Sequence, residues 1–399
     1  MARFSRLSAG CILAFAAAFV QPADAAGFKV LYTFQGMSDG GNPYAGVIAD
    51  AKGDLYTTTS VDGQAGAGTV FELSKKGIGA PLYAFRGSPG DGSFPQSPLI
   101  MNKGNFFGTT SYGGSANLGT IFELKKDGIE TVLHSFTGGK DGENPSSGLI
   151  EDSKSNLYGT TFMGGSSNNC GLGAGGCGTI FKISKNGKEK RLHVFAGSDG
   201  SYPSSALLAD AQGNLYGTTA LGGQSVYGTV FMLAPNGTLT TLYSFTNGSD
   251  GGIPGGGLTA DATGNLYGTT ETGGDASCGC GTIFKLTPGG TESTLYAFMG
   301  GSDGAEPFAG LTSDSSGNLY GTTKYGGSTN KCTEQGPTGC GTVYELPAGG
   351  TEQVLYAFSG INDGAFPYGN LLLTHGKLIG TAEAGGSINN AGSVFEVTP

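Results

Sequence analysis

Few side chains of this chain could do chemistry, and they gather at one recurring place. Seven times a short apolar segment ends just ahead of a glycine-rich loop. The two residues before that loop read Ser60-Val61, Ser111-Tyr112, Phe162-Met163, Ala220-Leu221, Glu271-Thr272, Lys324-Tyr325 and Glu383-Ala384. Charge falls only on the fifth to seventh copies, as Glu271, Lys324 and Glu383, and Glu306 adds a carboxylate in an adjoining loop. Aromatics collect nearby: Phe94, Tyr202, Phe308, Phe366 and Tyr368 flank recurring prolines. Carboxylates interleaved with exposed rings suit a sugar, whose hydroxyls take hydrogen bonds and whose apolar face stacks. The expected ligand-binding set is Tyr112, Phe162, Glu271, Glu306, Phe308, Lys324, Tyr325, Phe366, Tyr368 and Glu383. At each position a solvated rim with rings packed between modules is the competing account.

Two functions follow from these residues. The first is a non-enzymatic binding or scaffold module that holds a glycan or a surface protein, with no catalytic residue, cofactor or metal. The second is a glycan hydrolase or lyase that uses two of Glu271, Glu306 and Glu383 as acid and base, with Lys324 tuning them. No recognisable nucleophile supports the second. Gly36-Met37-Ser38-Asp39-Gly40 and Gly300-Gly301-Ser302-Asp303-Gly304 match the G-x-S-x-G pattern, but they are copies of a repeated turn without the strand–turn–helix context. His134, His193 and His375 are assigned to structure.

The six cysteines that follow the leader (Cys11 lies within it) are more informative. Counted to the Gly of a recurring Gly-Thr-Val/Ile-Phe, the glycine-rich loops span 5, 5, 13, 5, 7, 14 and 6 positions. Cysteines occur only in the three longest, as Cys170 and Cys177, Cys278 and Cys280, and Cys332 and Cys340. An even count in an exported chain implies disulfides, and pairing within each loop is the simplest connectivity. Such links would staple protruding loops rather than the core. Without an accompanying histidine, metal binding by these thiols is the weaker reading.

The elements that position these residues come from four markers, each present seven times in one order. They are Leu-aromatic-x-Phe (Leu31–Phe34 first), Asp-Gly-x-x-Pro (Asp39 first), Leu-Tyr-Gly-Thr-Thr (clean at Leu157, Leu215, Leu266 and Leu319) and Gly-Thr-Val/Ile-Phe (Gly68 first). Between them lie short Val-, Tyr-, Phe- and Thr-rich runs and Gly/Asn/Asp turns, the signature of hairpins. Each repeat therefore reads as four strands, a to d. In the fourth copy they are Ser205–Ala209, Leu215–Thr219, Gly228–Leu233 and Thr240–Phe245. A period near 50 residues with four strands is one propeller blade. The chain opens on a lone strand d, Phe28–Phe34, and ends on a lone strand c, Ser393–Val397. Pairing them predicts an all-β, seven-bladed β-propeller closed by its N-terminal strand.

In that fold the Asp-Gly-x-x-Pro and glycine-rich loops share one face. The seven Asp of Asp-Gly-x-x-Pro would ring the channel mouth, either as a cation or polar-ligand site or as turn residues bonding their own backbone. A residue needed in every copy points to the turn. The Asp of the opposite turns (Asp50, Asp152, Asp210, Asp261 and Asp314) is read as structural.

Gly-Asn-Leu-Tyr-Gly-Thr-Thr, then Gly-Gly, then Cys-Gly-Thr-Val/Ile-Phe is similar to the GloVer-type tandem repeat of exported bacterial proteins. The resemblance covers nearly all of the chain after its leader. It implies a propeller-like, exported protein and no established reaction or catalytic residues. Members often carry a C-terminal anchor, and the end at Val397-Thr398-Pro399 shows none that is recognisable.

Composition fits these readings. Of 399 residues 77 are Gly, none is Trp and 13 % are charged, against usual values of about 7 % Gly and 25 % charged. Gly at this density argues against helices, and 17 Tyr with 23 Phe argue against disorder. A net charge of −10 disfavours nucleic acid and anionic membranes as partners. Arg3 and Arg6, the apolar run Cys11–Val20 and Ala23-Asp24-Ala25 read as a signal peptide over residues 1–25. Residues 26–399 would then be one propeller domain without a membrane span, monomeric, and secreted or periplasmic.

Overall fold

The strand reading can be followed blade by blade in a computed structural model, which describes residues 27–166, 170, 175–327, 332, 338–386 and 389–399. The leader expected over residues 1–25 lies outside the described residues. Strands b, c and d of the fourth blade are Leu215–Thr219, Thr229–Leu233 and Leu239–Ser244, hydrogen-bonded in that order. The other blades repeat this antiparallel order. Strand c is apolar on both faces because each sheet is sandwiched between two others. Val70 and Phe71, and Val230 and Phe231, are fully buried.

Closure follows the predicted count. Phe28–Thr33 pairs with Ser393–Val397, from Phe28 opposite Val397 to Thr33 opposite Ser393, and thereby supplies strand d of the seventh blade. Phe28 stacks on Tyr356 of the sixth blade at 3.6 Å and meets Phe358 edge-on. The fold is a seven-bladed β-propeller with its ring sealed by the first strand.

Strand a is shorter than expected. Ser205–Ala209 was the expected range, yet only Leu208–Ala209 pairs regularly with strand b. The reason lies in the residue before each Pro: Asn42, Phe94, Asn144, Tyr202, Ile253, Glu306 and Phe366 all have φ between 53° and 61°. This left-handed backbone is costly for bulky residues and persists only where neighbours enforce it. Here the neighbours do. The Tyr202 amide donates to the Cys177 carbonyl of the preceding blade at 2.9 Å, while its carbonyl accepts from Ala220 of its own blade at 3.1 Å. The chain then bulges toward the axis, and the Ser205 hydroxyl takes over from the backbone by bonding Thr218 Oγ1 at 2.8 Å.

The repeated polar residues hold the blades together. The last Thr of strand b bonds the first Thr of strand c in six blades, as Thr59 with Thr69 at 2.7 Å and Thr219 with Thr229 at 2.8 Å. The preceding Thr reaches the next blade: Thr58 donates to Ser97 O, Thr109 to Ser147 O, and, across the closure, Thr381 to Ala45 O at 2.8 Å. In the sixth blade the Thr322 hydroxyl makes no such bond. The Gly ahead of strand c has positive φ and lies against the Pro of the following blade in all seven copies, from Gly68 on Pro95 to Gly392 on Pro43. The seams form a directional ring.

The three disulfides form within their loops, with Cα–Cα separations of 5.1 Å for Cys170–Cys177 and 5.2 Å for both Cys278–Cys280 and Cys332–Cys340. They are not confined to the protruding loops. Cys177, Cys280 and Cys340 are buried in the hydrophobic clusters, at the position held by Ala67, Leu118 and Tyr227 in other copies. In those copies burial there varies, from Ala67 at 9 % to Tyr227 at 36 % exposed, but the cysteines are buried, so each staple is rooted in the core.

Two outcomes are expected. At Gly228 (φ +96°) a Cβ would overlap the Thr219 carbonyl and stand 2.6 Å from Pro254 Cδ, whereas Gly237 (φ +91°) has open space around it. Gly237→Ala should cost about 1 kcal/mol of backbone strain. Gly228→Ala should cost at least about 2 kcal/mol more, because the seam itself must shift, as read by urea denaturation. Replacing Cys332 and Cys340 by Ser, which opens a link with sequence separation 8, should lower stability by about 2–3 kcal/mol in the same measurement.

Candidate functional site at the channel mouth

The segments that bulge toward the axis line a central cavity of about 490 Å³, within the usual ~300–1,000 Å³ of small-molecule sites. The first residue after each Pro is Tyr44, Gln96, Ser146, Ser204, Gly255, Phe308 and Tyr368, from blades 1 to 7. Rings cover an arc that runs through blades 6, 7 and 1, continued on blades 2 and 3 by Phe94, Tyr112 and Phe162. Blades 4 and 5 contribute only Ser204–Ala206 and Gly255–Gly257. Rings dominate the wall on blades 6, 7 and 1, Gln96, Asn144 and Ser146 interrupt it on blades 2 and 3, and small residues alone line it on blades 4 and 5.

Beside those small residues the charged residues meet. A Cβ on Gly255 would overlap Glu271 Oε1 and touch the Phe308 ring, so glycine makes room for the carboxyl there. Glu306 and Lys324 are backbone neighbours, the Lys324 amide donating to the Glu306 carbonyl at 3.1 Å. Lys324 Nζ stands 5.1 Å over the Tyr325 ring and 5.5 Å over Tyr368. Phe308 and Tyr368 pack at 3.9 Å, and Tyr44 meets Tyr368 edge-on at 5.2 Å. The Tyr44 hydroxyl donates to Glu383 Oε1 at 2.7 Å, although the two are 339 positions apart in the chain.

Electrostatics follow from this packing. Burial pushes the Glu271 carboxyl up to about 8; the Glu306 charge adds to the rise and Lys324 opposes it. Burial also raises Glu306, again against Lys324. The Tyr368 hydroxyl is raised by burial and by the surrounding carboxylates, so it stays a donor. Among the described residues the Glu271 carboxyl forms no ion pair within 4.0 Å and no hydrogen bond. At neutral pH it is a protonated acid able both to donate and to accept.

The expected residues divide accordingly. Glu271, Glu306, Phe308, Lys324, Tyr368 and Glu383 come together at blades 5–7, and of these Phe308 and Tyr368 line the cavity itself. Tyr112 and Phe162 lie on the other part of the same wall, with Tyr112 44 % exposed and Phe162 packed on Tyr202 at 5.0 Å. Tyr325 and Phe366, each 8 % exposed, pack on one another at 5.5 Å between blades 6 and 7, beneath the mouth. Tyr44 is the functional candidate that sequence reasoning missed. It follows Pro43 as Phe308 follows Pro307, and that register was the available signal.

The ring of Asp is corrected in place. Each Asp of Asp-Gly-x-x-Pro sits out at strand d, not around the mouth. Asp91 accepts from the Tyr83 hydroxyl at 2.9 Å and the Arg86 amide at 2.7 Å, and Asp199 lies 2.8 Å from His193 Nε2. The turn account holds, but the bonded amide lies earlier in the chain. The opposite Asp residues cap their turns: Asp210 accepts from the Gln212 and Asn214 amides and from Tyr216. Among the described residues no group of three or more His, Cys, Asp and Glu could hold a metal ion, and no helix is long and apolar enough to cross a membrane.

The Glu271 carboxyl titrates near 4.5 when solvated and near 8 when folded, so between those values the folded chain holds the extra proton. Stability therefore falls as pH rises through that window. Glu271→Gln removes this slope: its Tm should gain on the wild type from pH 5 to pH 9 in scanning calorimetry. Glu130 and Glu352, each raised to about 7 mainly by burial, leave a residual slope of the same sign in both proteins.

The fold is shared with solved structures. The extracellular domain of BT4673 of B. thetaiotaomicron, described as a one-component system, aligns with a TM-score of 0.56 and 10 % identity over 91 % of this chain and 40 % of that one. The extracellular domain of BT3049 from the same organism, described as a hybrid two-component system, gives 0.57 and 14 % over 93 % and 41 %. The chain thus spans about two fifths of the length of those chains, and at these identities the likeness is one of fold. No curated protein matches the chain in sequence. The Gloeobacter/Verrucomicrobia repeat matches residues 16–172 and again 169–334, most of the four-marker array, and the chain belongs to that family.

Proposed function

We propose that this is an exported binding propeller that holds a glycan in the mouth of its central channel. The observation that carries the reading is Glu271: a partly buried carboxyl without a hydrogen-bond partner among the described residues, set against Gly255 beside the Phe308 ring of the mouth. A half-buried carboxyl that keeps its proton offers a ligand hydroxyl both a donor and an acceptor. A sugar ring stacked on Phe308 or Tyr368 would offer hydroxyls to Glu271, Glu306 and Lys324, while Tyr44 holds Glu383 in place. Three intramolecular disulfides support export to an oxidising compartment, the periplasm or the cell exterior. The protein would act as a monomer, and a surface protein presenting a sugar-like loop is the alternative partner.

A glycan hydrolase or lyase is the second reading, favoured by the same carboxyl. An acid held near 8 by burial, with other carboxyls close by, is a pairing that general acid–base chemistry uses. Glu271 would protonate a leaving oxygen, Glu306 or Glu383 would act as base or nucleophile, and Lys324 would tune both.

A glycan array on the wild type, Glu271→Gln and Tyr368→Ala separates these. Binding without turnover, weakened about tenfold or more by Tyr368→Ala, supports the binding module. Turnover abolished by Glu271→Gln supports the enzyme. No glycan retained on the wild type overturns both.

A further inference from the structure

Away from the channel, the outer hairpin of blade 3 carries a charge pattern that the fold does not require. From strand c, Thr179–Ile183, to strand d, Glu189–Val194, it presents Lys182, Lys185, Lys188, Lys190 and Arg191. The chain as a whole has 31 Asp and Glu against 21 Lys and Arg. The hairpin's one acid, Glu189, turns an oxygen into the interior. Lys182 is held over the Tyr158 ring at 5.1 Å, and Arg191 donates to the Lys140 carbonyl at 2.7 Å. Lys185, Lys188 and Lys190 are exposed, and none forms an ion pair among the described residues.

Lysine on an edge strand can serve only to block strand addition. That account does not explain the cluster. The outer strands of the other blades include Leu239–Ser244, Glu292–Ala297 and Gln353–Ala357, and the only cation on any of those six is Lys29. The fold keeps its edges without such a group. Beside the hairpin runs a groove of about 630 Å³ toward the turn Pro235-Asn236-Gly237 of blade 4. Lys182, Lys188, Lys190 and Arg191 line it, with Glu189 as the one acid of the lining and Ser184 and Asn236 among its polar groups.

We infer that this groove binds a linear acidic polysaccharide through its carboxylate or sulfate groups. Four cations on the walls of a concave channel fit a chain rather than a flat bilayer. The Tyr158 ring is covered by Lys182, which removes the stacking platform that single-stranded nucleic acid uses. The groove is separate from the channel mouth, so its ligand need not be the one bound there.

The test titrates a heparin fragment and a polygalacturonate chain into the wild-type protein at several salt concentrations. Binding should weaken with salt. The triple variant Lys185→Gln, Lys188→Gln, Lys190→Gln should bind about tenfold or more weakly, with a salt slope smaller by about 2. Lys75→Gln with Lys76→Gln on blade 1 should bind as the wild type does. Failure of the wild type to bind either glycan overturns the inference. So does unchanged binding by the triple variant, or stronger binding to anionic vesicles or single-stranded DNA than to the glycans.

Discussion

The ladder between Phe28–Thr33 and Ser393–Val397 is the contact on which the rest of the molecule depends. Each blade buries its apolar strand c against two neighbours, and seven blades satisfy that demand only as a circle. The ladder supplies the missing strand and brings blades 7 and 1 together. Across that seam lie the Tyr44–Glu383 hydrogen bond and the Tyr44–Tyr368 contact. The aromatic wall is thus assembled by the last pairing of the chain. Sequence-distant residues meet because the ring has a fixed circumference.

Most of the architecture was legible because repetition amplifies weak signals. One Leu-Tyr-Gly-Thr-Thr is an ambiguous apolar run, while seven in step with three other markers specify strands and their order. What repetition hides is where a conserved-looking side chain points. Asp91 reads equally well as a mouth residue or a turn residue until Tyr83 on strand d is seen to claim it. The five-residue strand a failed for a similar reason. A left-handed residue such as Tyr202 leaves no mark in composition, since its conformation is imposed by hydrogen bonds to two different blades.

The candidate site was legible in part. Charge on copies five to seven singled out Glu271, Lys324 and Glu383, and the structure groups them. The burial of Tyr325 and Phe366 was not readable, because a ring at a loop end can turn outward or into a blade interface with the same sequence. Nor was the role of Gly255, whose missing side chain makes the space that Glu271 occupies. The contrast with the repeated residues is physical. The threonine pairs and turn residues such as Asp210 are occupied by one another and by the backbone, so they stabilise the blades and have little capacity left for a ligand.

The truncated inner strand has one more implication. Because regular pairing begins only at residues such as Leu208, the residue after each Pro is framed by a bulge and not by a ladder. Its side chain can change from Ser204 to Phe308 to Tyr368 without altering any strand's hydrogen bonds. The inner wall therefore behaves as a row of seven writable letters on an invariant support, coupled only where neighbouring side chains touch. Relatives with the same scaffold could reach very different ligands by rewriting those letters alone.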